Sequence, residues 1–172
     1  MLRRHGLPLL HALPGVGENL RDHYAAILKW RFDRPGISLA KKGRGWRLWL
    51  EVARWLLLRT GMISQGHGSL RVFARSTPEQ REPDVMMVVS PYIIELQSGK
   101  GRRMSDVEGF MMYTHVQRTQ STGSIHIRSA DPFVAPAIRF KFLDTEEDRR
   151  AAVGAVRRAR DIAAASPLKE VI

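Results

Sequence analysis

The feature that most restricts this chain is the order of its periodic segments: a run of short strand-like stretches closed by a single long helix. Strand-like segments cover residues 24–32, 69–74, 85–89, 109–116, 124–128 and 137–142. Several alternate in polarity or are rich in β-branched and aromatic residues. Three of the five connections between them are ten residues or shorter, and no helix alternates with each strand. That pattern predicts an α+β fold, an antiparallel sheet with flanking helices, and argues against a doubly wound βαβ domain. Ser121-Thr-Gly123 has turn composition and is expected to join the strands on either side of it into an antiparallel hairpin.

Two helices flank these strands. Over residues 46–58, Trp46, Trp49, Leu50, Ala53, Leu56 and Leu57 recur at i, i+3, i+4, i+7 and form one apolar stripe. Arg47, Glu51 and Arg54 fall on the other face, and Gly61 is the expected stop. The stripe is expected to pack in the core or at a domain interface, with a membrane-surface helix as the alternative. The second helix spans residues 145–165. Asp144 is the expected N-cap, with Glu147 three residues on completing a capping box. Val153, Val156, Ala159 and Ala163 are its expected buried face, and Pro167 marks its end.

The chain has 172 residues, 44% of them hydrophobic, which suits one packed domain. The formal net charge of +11 invites a nucleic-acid partner. Most of the 28 basic residues are arginines scattered along the chain, with no dense run, so charge alone supports that reading and we expect no nucleic-acid partner. Cysteine is absent, which excludes disulfides and thiolate chemistry. No segment reaches the roughly 20 apolar residues of a membrane span. A soluble, cytoplasmic protein is the expectation.

Residues 7–23 are rich in Gly and Pro and read as an ordered loop. Within it, Gly15-Val-Gly17-Glu-Asn-Leu20 begins like a dinucleotide-binding fingerprint and fails it. Leu20 stands where the third glycine belongs, and no apolar strand leads in. The histidines His5, His11, His23, His67, His115 and His126 show no metal-binding spacing, so no metal site is expected. His115 and His126 would face each other if the hairpin formed. His67 lies between two glycines, which suits a loose loop or a close approach of backbone to a ligand. Asp22 and His23 are neighbours in extended chain, so their side chains are expected to point apart and form no relay, leaving one of them to hold a partner from elsewhere.

Three stretches together resemble the glucose–methanol–choline (GMC) oxidoreductases. They are Leu13-Pro-Gly-Val-Gly-Glu-Asn-Leu-Arg-Asp-His23, preceded by Leu2-Arg-Arg-His-Gly-Leu-Pro8; Thr122-Gly-Ser-Ile-His-Ile-Arg-Ser-Ala-Asp-Pro132 with Pro136-Ala-Ile138; and Leu143-Asp-Thr-Glu-Glu-Asp-Arg-Arg150 through Ala163-Ala-Ala165. The nearest flavour is choline-dehydrogenase-like. The resemblance implies an FAD-dependent enzyme that oxidises a small alcohol, with hydride passing to the flavin. It implies that residues 1–23 lie next to a flavin domain and that residues 24–172 are part of the substrate-binding domain. It also implies that Asn19, Asp22 and His23 contact the cofactor or hold the junction beside it. Neither the FAD-binding glycine motif nor the catalytic histidine of this family has a counterpart in these residues. We therefore expect an interior portion that is inactive alone and assigns no catalytic residue. A non-catalytic scaffold built on the same fold is the rival expectation.

Overall fold

The computed structural model describes residues 1–65, 68, 70–99 and 101–172. His67 lies outside them. Among the described residues the strands are β1 (Glu18–Leu20), β2 (Ala25–Arg31), β3 (Leu70–Ala74), β4 (Val85–Ser90), β5 (Ile94–Gln97), β6 (Gly101–Met104), β7 (Gly109–Val116), β8 (Gly123–His126) and β9 (Ala137–Arg139). The helices are α1 (Gly45–Leu58) and α2 (Glu146–Ala164). All strand pairs are antiparallel. The central sheet runs β2-β7-β4-β3, a smaller one runs β1-β8-β9, and β5-β6 form a separate ribbon. The α+β expectation therefore holds.

Alternation along β7 sends Phe110, Met112, Thr114 and Val116 to one face of the central sheet. Leu28, Trp30, Met87 and Val85 join them there, and α2 packs across this face. Phe110 stacks between Trp30 and Phe32, with ring centroids 5.1 and 5.6 Å apart. The helix face that meets the sheet is Ala151, Gly154, Ala155, Ala159 and Ala163, while the expected Val153 is 50% exposed. Small residues are needed because the helix comes very close. A Cβ on Gly154 would lie 2.6 Å from the Ser76 carbonyl oxygen.

α2 begins one residue later than its sequence suggests. Thr145 is the N-cap, and its hydroxyl accepts from the Asp148 N–H at 3.2 Å. This leaves the Asp148 side chain free to turn inward. It is 1% exposed and accepts hydrogen bonds from Thr119 Oγ1 (2.7 Å), the Gln120 N–H (2.9 Å), the Ser121 N–H (2.7 Å) and the Ser121 hydroxyl. Burial alone would push this carboxyl up. The bonds from Ser121, Gln120 and Thr119 outweigh burial and hold it well below the usual carboxylate range.

That anchor explains why the expected hairpin does not form. Ser121 is 4% exposed, pinned to the start of α2, and its hydroxyl also accepts from the N–H groups of Asp144 and Thr145. The chain is led away from β7 instead of folding back on it. β8 consequently pairs with β1 and β9 in the smaller sheet.

α1 forms as expected, but its stripe is not core. Trp49 is 73% and Leu57 82% exposed, while Glu51, assigned to the outer face, is buried and accepts the Met62 N–H at 2.8 Å. The helix stops at Arg59, which takes the left-handed conformation (φ 55°), with Gly61 (φ 98°) opening the following turn. Among the described residues no helix is long and apolar enough to cross a membrane.

Candidate functional site

The loop before β2 is shaped by the small sheet. Gly17 has φ 84°, and a Cβ there would fall 2.5 Å from the Ile125 carbonyl oxygen and 2.8 Å from the His126 ring. Glycine is required for this approach of β8, and a strand follows it instead of a phosphate-facing helix. Glu18 pairs with Ser124 and Leu20 with Gly123, so Asn19 between them is the irregular residue of the ladder. Its φ is 58°, a conformation asparagine tolerates better than most side chains. Glu18 Oε1 meets His126 Nε2 at 2.7 Å. His126 thus belongs to the small sheet, and His115 does not face it.

Among the described residues no bond between side chains joins Asp22 to His23, as expected. The Asp22 carboxylate accepts His23's own backbone N–H at 2.7 Å, and the His23 ring turns to the end of β7. There it lies 5.7 Å from the His115 ring, tilted by 59°. Arg21, Asp22 and His23 line one side of a groove of about 470 Å³, and residues 117–120 line the other. Asn19 is not among the residues of that groove.

Among the described residues, two polar atoms at this end are buried without a hydrogen-bond partner, His115 Nδ1 and Gln117 Nε2. Such atoms are uncommon in finished interiors, where buried polar groups are nearly always paired. Burial lowers the pKa of His115 below 6.5, and the nearby His23 lowers it further. His115 is therefore a neutral imidazole at neutral pH, with one nitrogen able to donate and one to accept.

His115 also opens onto the face of the central sheet that α2 leaves uncovered. The strand register sets Ala25, His115, Met86 and Phe73 in one row across the four strands, and Ile27, Tyr113, Val88 and Arg71 in the next. Gly68 lies against Val88, and Met111 sits beneath the segment at Ile94. Toward His115 the face is open, with Ile27 48% and Phe73 57% exposed. An apolar surface carrying a few fixed polar groups is the usual make-up of a wall that holds a small organic ligand. Asp22 and His23 were marked by the sequence; His115's partnership and this wall were not. The signal was the alternation of residues 109–116, which defines two faces where only one was sought. Among the described residues, no cluster of His, Cys, Asp or Glu is arranged to hold a metal ion.

Residues 119–171 match the family model described as GMC oxidoreductase. The oxygen-dependent choline dehydrogenase of Staphylococcus aureus (strain JH9) is 34% identical over 155 residues, covering 90% of this chain and 26% of that protein. The chain thus spans about a quarter of the length of this curated relative. Among solved structures, formate oxidase from Aspergillus oryzae RIB40 superposes with a TM-score of 0.83 at 20% identity, over 99% of this chain and 34% of its own. An FAD-dependent oxidoreductase from Chaetomium thermophilum gives 0.69 at 15% identity, over 98% and 34%. These structural likenesses carry the fold, and the sequence matches carry the kinship. The chain is thus similar to GMC oxidoreductases, and to a choline dehydrogenase among them, over most of its own length.

Proposed function

We propose that this chain is the substrate-side portion of an FAD-dependent oxidoreductase that oxidises an alcohol at its CH–OH carbon. The observation that carries this reading is the 34% identity over 155 residues with a choline dehydrogenase. In the complete protein the bound flavin would accept the hydride. The residues present suit such a neighbour. The unpaired Nδ1 of His115 and Nε2 of Gln117 sit beside Asp22 and His23, at the open end of an apolar wall.

In this reading the wall over Ile27, Met86 and Phe73 excludes water from the reacting carbon, and His115 and His23 present hydrogen-bonding groups at its edge. Asp22 fixes the backbone of His23 and so its ring. Asn19, through its left-handed turn, delivers the chain to Asp22. These three hold the junction with the flavin-bearing part by hydrogen bonds. Gly17 serves the small sheet, so the dinucleotide cradle must come from other residues of the complete protein.

The test compares the 172-residue chain with a version extended to the full length of its relatives. The extended protein should carry a stoichiometric visible flavin band that bleaches anaerobically when its alcohol is added. The 172 residues alone should carry no such band; if they do, the reading fails. In the extended protein, Asp22→Ala should lower flavin content and turnover. Unchanged values would remove Asp22 from the junction.

A further inference from the structure

α1 touches the rest of the protein along one side only. Leu48, Glu51, Val52 and Trp55 recur at i, i+3, i+4, i+7 and are its less exposed residues, with Glu51 bonded to the turn at Met62. The opposite side carries Trp46, Trp49, Leu50, Leu56 and Leu57, between 56% and 82% exposed. A helix that docks by its weaker face and presents its stronger apolar stripe outward is built to receive something.

The charges around the stripe say what. Between residues 41 and 59 the basic residues Lys41, Lys42, Arg44, Arg47, Arg54 and Arg59 stand with a single acid, Glu51, and that acid is buried. Lys41 is paired with Glu108 and Arg44 with Asp106. Lys42, Arg47, Arg54 and Arg59 have no carboxylate partner among the described residues. Arg47 and Arg54 are seven apart and so lie along one edge of the stripe. Arg47 sits over the Trp46 ring at 5.6 Å and Arg59 over Trp55 at 4.6 Å, so the cations travel with the aromatic rings. Three of the chain's four tryptophans are on this helix, the residue type that favours the boundary between water and lipid.

We propose that α1 is an interfacial anchor that lays its Trp46–Trp49–Leu57 stripe into an anionic phospholipid surface, with Lys42, Arg47, Arg54 and Arg59 at the level of the phosphates. Its 14 residues make a rod of about 21 Å, which suits lying in the plane of the surface and not crossing it. A second copy of the chain is the poorer occupant. Two such faces would bring like charges together with no exposed acid within residues 41–59 to answer them. The anchor is also remote from the candidate site. β2 begins beside His115 and ends at Arg31, about 20 Å along the strand, and α1 is rooted at that far end through Lys41 and Arg44.

The experiment is flotation with vesicles of phosphatidylglycerol and phosphatidylcholine, compared with phosphatidylcholine alone. Both the 172-residue chain and its full-length form are used. Wild type should float with the anionic vesicles, release as salt rises, and show tryptophan emission quenched by brominated acyl chains. Trp49→Ser with Leu57→Ser should weaken partitioning about 100-fold while leaving the thermal melt unchanged, since both side chains are exposed. Arg47→Glu with Arg54→Glu should remove the preference for anionic vesicles. The proposal is overturned by wild type that stays unbound, or by flotation indifferent to the Trp49 and Leu57 changes. Binding by the short chain alone would also overturn it, because another part of the protein would then cover the stripe. So would a dimer that these changes split in the absence of any vesicle binding.

Discussion

Replacing Asp148 with alanine should destabilise the protein by about 3 kcal/mol. The carboxylate is 1% exposed and satisfies four donors on three consecutive residues. Alanine leaves those donors behind. The Ser121 N–H is buried, and an abandoned buried donor costs about 1–3 kcal/mol. Gln120 and Thr119 are nearer to solvent, can turn to water, and contribute less. Loss of an acid from the first turn of α2 adds about 0.5 kcal/mol. For a chain of this size, 3 kcal/mol corresponds to a fall in Tm of about 6–12 °C, to be measured by circular dichroism on heating. The pH dependence checks the cause. The folded-state pKa lies below the ordinary 3.8, so the native state binds fewer protons than the unfolded chain over that interval. Its contribution is complete above pH 3.8 and lost as pH falls toward the folded-state value. The gap between wild type and Asp148→Ala should therefore narrow progressively below pH 3.8. A Tm within about 2 °C of wild type at neutral pH, or a gap that stays constant into acid, would refute the reasoning.

Gly154→Ala should also destabilise, although alanine is the better helix former by about 1 kcal/mol. Its Cβ would meet the Ser76 carbonyl oxygen at 2.6 Å, and moving backbone costs more than the propensity returns, so urea denaturation should show a net loss of about 1–2 kcal/mol. His115, whose pKa is lowered by burial and by His23, takes up a proton more readily in the unfolded chain than in the folded one. Stability should therefore fall as pH drops below 6.5, and His115→Gln should flatten that slope in urea midpoints taken between neutral pH and about pH 5.

What could be read from the sequence was whatever depends on neighbours along the chain. Residues 109–116 alternate cleanly, and β7 occupies those positions. Acids at Glu146, Glu147 and Asp148 and the proline at 167 bracketed α2 to within a residue or so. The choice between Asp144 and Thr145 as N-cap was a local tie, since each is followed three residues later by an acid. It was broken by where Asp148 goes, which is tertiary information. The β5–β6 ribbon was missed because its residues are largely polar and are joined by the Glu95–Arg103 ion pair, not by an apolar alternation. Val153 and Val156 were preferred over Gly154 and Ala155 on hydrophobicity, whereas the closeness of Ser76 selects for small size. At the candidate site, Asp22 and His23 could be marked by composition. Their meeting with His115 depends on the pairing of β2 with β7, which no local pattern encodes.

The two apolar surfaces described above follow from one limit of periodicity: it reveals a face but not what covers the face. A solvated side of an antiparallel sheet is normally polar. The row Ala25, His115, Met86 and Phe73 is not, so that side is shaped for cover. The stripe of α1 raises the same question at the other end of β2. Charge separates the two answers. Around His115 the neighbouring groups are neutral or mixed, with Asp22 beside Arg21 and two polar atoms awaiting partners, which suits an uncharged, hydrogen-bonding neighbour. Around Trp46 and Trp49 the exposed charges of residues 41–59 are all positive, which suits a surface of phosphates. The uneven distribution of the net charge, and not its total of +11, is therefore the informative quantity in this chain.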